Sequence, residues 1–357
     1  MKRPLTSLVA AAVLGTLALV SGCSGEPVSF DTPPPEASGP APAAPGGQDR
    51  ARDGAGGRHP GGPGGGGAAA RTLMPTGPKA EFTTENTVDD GTKIGVTTLE
   101  GRKSGFTGKV WVWAPPQYFE PRYANSGFPV LIALPGGNGY PRNYWMGTDL
   151  KLQSSISRWS REGKSLPFVV VMPVLNPDDA YYYDGSDIPG REKMGTWMTE
   201  DVPDFVRANF RTFASRDGWA FMGSSSGAFV GLKSVLKHPD KFKAVIASGP
   251  DTVPDSPLWA GHDAEKAAND PEKLAEALST RPSSPGEDVY LAFQIGTRET
   301  GLQNLRSFIR NYGKGPVKTR LEVIQDGGHN ARTYVKGMGD GSIQWISEHM
   351  LAPVPSP

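Results

Sequence analysis

The sequence predicts an α/β protein with a mostly parallel central sheet flanked by helices. Three observations carry that expectation. Short apolar runs recur along the chain, continuous rather than alternating, as suits strands covered on both faces. Stretches with apolar residues at helical spacing lie between several of them. Strands that alternate with helices build an open α/β sheet.

The elements follow in order. Residues 92–99 and 109–114 are rich in β-branched and aromatic side chains and read as two leading, antiparallel strands. The apolar runs are 130–134, 168–172, 219–222, 244–247, 289–295 and 321–324. Residues 199–210 set Val202, Phe205, Val206 and Phe210 on one helical face, and 226–236 and 302–312 are patterned alike. In such sheets ligands meet the carboxyl ends of the strands, so chemistry is expected there.

Everything before residue 80 reads differently. Lys2 and Arg3 precede an almost unbroken apolar run over 8–20, which closes on Leu19-Val20-Ser21-Gly22-Cys23. The run is short for a membrane span and has the three parts of an export signal. Small residues before the cysteine resemble a bacterial lipobox. Residues 1–22 are therefore expected to be a lipoprotein signal peptide, with Cys23 the acylated first residue of the mature chain. Residues 23–79 are rich in Gly, Pro and Ala and are expected to be a disordered, lipid-anchored linker that lifts a catalytic domain, 80–357, off the membrane.

Composition narrows the function. The formal net charge is +0, so nothing attracts nucleic acid, and membrane contact is expected through the N-terminal lipid only. One cysteine in 357 residues excludes an intramolecular disulfide and a cysteine zinc site. Asp178, Asp179, Asp184 and Asp187 lack a calcium-loop pattern, so no calcium is expected on them.

The sharpest motif follows the run 219–222. It reads Gly223-Ser224-Ser225-Ser226-Gly227 and leads straight into a helix. A G-x-S-x-G turn between a buried strand and a helix needs its glycines to avoid clashes, and it lifts the central serine to the sheet edge. Ser225 is the candidate nucleophile. In this arrangement an acid and then a histidine follow in chain order. His329, in Asp326-Gly327-Gly328-His329-Asn330 after the last strand, is the candidate base; His238, His262 and His349 sit at helix ends or in polar stretches. Glu299, after the run 289–295, is the candidate acid, with Asp251, after 244–247, as the alternative. The oxyanion donors expected are the backbone amides of Ser226 and Gly137, the latter in Pro135-Gly136-Gly137-Asn138-Gly139. Tyr140, Tyr144, Trp145, Trp159 and Tyr181 to Tyr183 are candidates for an acceptor groove or for packing.

With these residues placed, residues 109–350 resemble the esterase D-like branch of the α/β-hydrolases, which includes feruloyl and other carbohydrate esterases and the mycolyltransferases. The resemblance rests on Leu134-Pro135-Gly136-Gly137, on Val171-Met172-Pro173 with a tyrosine-rich loop behind it, and on Trp197-Met198-Thr199-Glu200-Asp201-Val202-Pro203. It continues through the serine turn, Lys237-His238-Pro239-Asp240-Lys241-Phe242 and Gly328-His329. Pro135 departs from the His or Asp usual there, which leaves the support of the oxyanion loop open. The resemblance implies an α/β-hydrolase fold and acyl transfer from an ester or thioester, by hydrolysis or to an alcohol, without a cofactor. The substrate class it suggests is a small-molecule or cell-wall carbohydrate ester. A serine peptidase and a non-catalytic cell-surface binding protein on the same fold are the alternatives.

Overall fold

The computed structural model describes residues 26–31 and 71–356. The signal 1–22, Cys23 and linker residues 32–70 lie outside these.

Ten strands form one sheet. In chain order its members are β1 (Pro27–Val28), β3 (Phe82–Thr87), β4 (Lys93–Glu100), β5 (Thr107–Trp113), β6 (Val130–Leu134), β7 (Val169–Pro173), β9 (Trp219–Ser224), β10 (Ala244–Ser248), β11 (Val289–Gly296) and β12 (Val317–Ile324). The spatial order is β1-β3-β4-β5-β7-β6-β9-β10-β11-β12. Pairing is antiparallel from β1 to β7 and parallel from β7 to β12. The expected sheet, antiparallel at its start and then parallel, is the one observed. Every residue of β6, β7, β9 and β10 is buried, which explains why these strands read as unbroken apolar runs.

Helices α1 (Leu152–Arg161), α2 (Val202–Asn209), α3 (Ser226–Lys237), α4 (Pro271–Ser279), α5 (Leu302–Tyr312) and α6 (Ala331–Gly337) join the strands. The expected helix 199–210 is divided. A π-helical turn, Trp197–Asp201, precedes α2, where Pro203 has no N–H to complete an α-type bond. Several elements escaped the sequence reading, two of them for plain reasons. Strand β3 reads Phe-Thr-Thr-Glu-Asn-Thr, with little apolar content to mark it, and α1 is Ser and Arg outside its buried face.

The domain boundary drawn at residue 80 falls too late. Pro27 and Val28 pair with Thr83 and Phe82, adding a strand to the sheet edge. Phe30 is buried and packs edge-to-face on Phe82 and Phe210, each at 5.1 Å between ring centroids. A second pairing joins β2 (Thr72–Leu73) to β8 (Thr212–Phe213). The linker's average composition is that of an unfolded chain, but single residues such as Val28 and Phe30 find apolar partners that an average conceals. A chain begun at residue 80 is therefore expected to lose the Phe30 contacts and both pairings. Losing a buried Phe costs on the order of 3 kcal/mol, so its thermal midpoint should drop by several degrees. An unchanged midpoint by calorimetry would show these segments to be incidental.

Candidate active site

The residues singled out in the sequence gather at the carboxyl ends of the parallel strands. Ser225 lies between β9 and α3 with φ 53° and ψ −121°, a left-handed conformation that few non-glycine residues adopt. Its amide donates to Ser248 O at 2.9 Å, anchoring the turn to the end of β10. The flanking glycines are required by space. A Cβ on Gly223 would strike the Gly227 carbonyl, and one on Gly227 would strike the carbonyls of Leu134 and Pro135. Strand, turn and helix close on one another with no room for a side chain.

His329 stands in the loop between β12 and α6, and Glu299 in the loop between β11 and α5. His329 Nδ1 and Glu299 Oε2 are 2.6 Å apart. The Glu299 side chain is 6% exposed and its other oxygen, Oε1, accepts the Gly296 amide at 2.7 Å. The alternative acid, Asp251, is solvent-exposed, and among the described residues the imidazole's hydrogen bonds go to Glu299 and Tyr334. Ser225, His329, Gly136, Gly137, Tyr144, Leu150, Tyr182 and Tyr334 line one cavity of about 450 Å³. The chain therefore brings a strained serine and a carboxylate-paired imidazole to a single hollow.

The other histidines are placed elsewhere. His238 closes α3, and burial, followed by the nearby Lys241, pushes its imidazole down to about 4. His349 stacks on Tyr290 at 3.9 Å. His262 precedes a short helix, Asp263–Ala267. The four aspartates considered for calcium face different partners. Asp178 accepts from Ala180 N and Tyr183, Asp184 from the Trp259 indole, and Asp187 from Thr196.

The loop expected to supply an oxyanion donor carries Pro135, and a tyrosine holds it in place. The Tyr144 hydroxyl accepts the Gly136 amide at 2.7 Å and is hydrogen-bonded to the Ser224 hydroxyl. Burial raises this phenol, so it stays protonated and keeps a donor as well as an acceptor. Ser226 Oγ donates to Gly137 O at 2.7 Å and ties the same loop to the first turn of α3. With Gly136 N engaged, the amides of Gly137 (φ 65°) and Ser226 make no hydrogen bond among the described residues; Gly137 lines the cavity and Ser226 directly follows Ser225, which lines it too. Sequence reading named Tyr144 as a groove or packing aromatic; its hold on Gly136 depends on the β6–α1 connection folding back on itself, which no local pattern announces. Tyr144→Phe is expected to release the Gly136 amide and lower kcat by about tenfold with little change in KM, since oxyanion support matters in the transition state. Steady-state kinetics on a soluble ester would check this.

Comparison with known proteins bears on the family and the fold. Residues 106–334 match the Esterase family model. An uncharacterized protein of Corynebacterium glutamicum is 23% identical over 290 residues, covering 74% of this chain and 65% of its own. An esterase of Mycobacterium tuberculosis is 31% identical over 137 residues, 37% of this chain and 28% of its own. The chain thus spans less than two thirds of either relative. Among solved structures, a ferulic acid esterase aligns with TM-score 0.57 and 18% identity, over 74% of this chain and 100% of its own. An S-formylglutathione hydrolase of Agrobacterium tumefaciens aligns with TM-score 0.57 and 19% identity, over 76% and 99%. These structures share the fold, and the family model spans the sheet from β5 to the Tyr334 helix, serine turn and His329 loop included: the chain belongs to the Esterase family and has its α/β-hydrolase fold.

Proposed function

We propose that this chain is a serine carboxylic ester hydrolase, or an acyltransferase of the same mechanism, working through Ser225, His329 and Glu299. One observation supports this most: the His329–Glu299 pair at 2.6 Å shares a cavity with a serine held at φ 53° by a strand–turn–helix. In the first half-reaction Ser225 Oγ attacks the acyl carbonyl and gives its proton to His329 Nε2. Glu299 accepts from Nδ1–H and stabilises the imidazolium. The negative oxygen faces the Gly137 and Ser226 amides at the start of α3, where the helix adds a partial positive charge. Collapse passes the proton to the leaving alcohol or thiol and leaves the acyl group on Ser225. Water, or an acceptor alcohol, then attacks with His329 as base, and the serine is restored.

Tyr144, Tyr182, Tyr334 and Leu150 on the cavity wall suit an aromatic or short aliphatic acyl group. A small-molecule or cell-wall carbohydrate ester is the proposed substrate, in keeping with the ferulic acid esterase among the structural neighbours. The experiment is labelling with a fluorophosphonate probe, followed by a panel of chromogenic esters. Labelling that disappears in Ser225→Ala is expected; equal labelling of that variant would remove the proposal.

Export and lipidation at Cys23 complete the reading. No helix among the described residues is long and apolar enough to cross a membrane, and the proposed attachment is the acyl group alone. Wild-type protein should partition into the detergent phase and Cys23→Ala into the aqueous phase. Equal partitioning would refute the lipid anchor while leaving the esterase chemistry standing.

A further inference from the structure

His329 poses a mechanical problem. Its side chain is 52% exposed on a loop, so little packing fixes the imidazole plane, yet general-base catalysis requires that plane to be held. A carboxylate on one nitrogen constrains a ring that can still tilt about that bond. A second constraint is present. Tyr334, on α6, is 1% exposed, and its hydroxyl lies 2.8 Å from Glu299 Oε2 and 2.8 Å from His329 Nδ1. The two rings meet edge-to-face at 5.8 Å and 89°.

An ionised carboxylate only accepts, so the phenol is the donor to Oε2, and its oxygen lone pairs face the imidazole N–H. Burial, and after it the Glu299 carboxylate, holds the phenol far above its ordinary range, so this donor is never lost by ionisation in the working range. Glu299 is thus gripped by three donors from three places: Gly296 N on Oε1, and His329 Nδ1 and Tyr334 Oη on Oε2. The chain beneath them is cut to fit. Gly249 (φ 55°) has the Tyr334 hydroxyl, Glu299 Oε2 and His329 Cε1 where a Cβ would stand.

We infer that Tyr334 is a positioning residue of the triad, locking the Glu299 carboxylate and the His329 ring in one geometry through its hydroxyl. This rests on the proposed triad. Because α6 begins just after the histidine loop, the same short helix carries the base's loop and the bolt that secures it.

The test is a double-mutant cycle on a soluble ester, with Tyr334→Phe, Glu299→Gln and the pair. Tyr334→Phe keeps the ring and removes the hydroxyl. It is expected to lower kcat about tenfold, through a misaligned base, with KM unchanged. In the Glu299→Gln background the same change is expected to have little further effect, because the carboxylate through which it acts is gone. Proton NMR supplies a readout that plain packing would not move. The low-field resonance of the His329 Nδ1 proton should shift in Tyr334→Phe, as its acceptor loses a competing donor. Each variant is first compared with wild type by thermal midpoint. Additive losses in the cycle, or an unmoved low-field resonance, would overturn the positioning role while leaving the triad intact. Near-wild-type turnover in Glu299→Gln would instead remove the acid assignment, and this inference with it.

Discussion

Ser225→Ala and His329→Ala are each expected to lose about 10⁴-fold or more in kcat on a soluble ester, because members of a nucleophile–base unit do not act separately. Glu299→Gln should lose less, since the serine and histidine still meet when the orienting group is weakened. Asp251→Asn should stay close to wild type, as its carboxylate is exposed and makes no bond to the imidazole. Near-ultraviolet dichroism of each variant separates lost chemistry from a collapsed site. Full activity in Ser225→Ala would end the serine mechanism. A crippled Asp251→Asn beside an active Glu299→Gln would move the acid to β10.

Gly249→Ala is expected to be damaging too, although position 249 contributes no functional group. Its φ of 55° costs an L-residue about 1 kcal/mol. The larger effect is local. The new methyl would stand against the Tyr334 hydroxyl, with Glu299 Oε2 at 2.8 Å and His329 Cε1 at 2.9 Å. All three are side chains that can move aside, so the fold survives and the alignment does not. The expected result is a loss of about 100-fold in kcat, with a fall of a few degrees in thermal midpoint. Fluorophosphonate labelling should slow in parallel, since the serine depends on the displaced base. Unaltered kinetics would show that the site tolerates the displacement.

Much of the fold was legible in the sequence because a strand buried on both faces leaves a continuous apolar signature. Val130–Leu134 reads as one run and is one strand. Edge elements carry half that signal. Strand β12 begins at Val317, four residues before its apolar run, since Lys318 to Arg320 are only partly covered. The site was legible where chemistry follows chain order: Ser225, Glu299 and His329 each come just after a strand, and two of them pair directly. Tyr334 and Tyr144 were not legible in those roles. Each acts by a hydroxyl reaching a group outside its own turn of chain, and a tyrosine reads as packing until that reach is seen. The linker misled for the opposite reason, as the composition of all of 23–79 outweighed the few residues that matter.

Those few residues alter what a lipid on Cys23 would do. From Cys23 to the first described residue, Glu26, is three peptide steps, a span of about 10 Å at full stretch. Glu26 O already accepts the Thr84 amide, and Val28 is zipped to the sheet edge. Under the proposed acylation the enzyme is moored on a short line at the β1 edge, with four strands, β3, β4, β5 and β7, between that edge and β6, whose following loop lines the catalytic hollow. Both Asp31 and Arg71 belong to the domain's own surface, so the long Gly- and Pro-rich stretch between them starts and finishes on the same body. Lengthening or shortening it would leave the height above the membrane unaltered. Under that acylation, inserting residues between Cys23 and Glu26 is what would let the enzyme reach further from the bilayer.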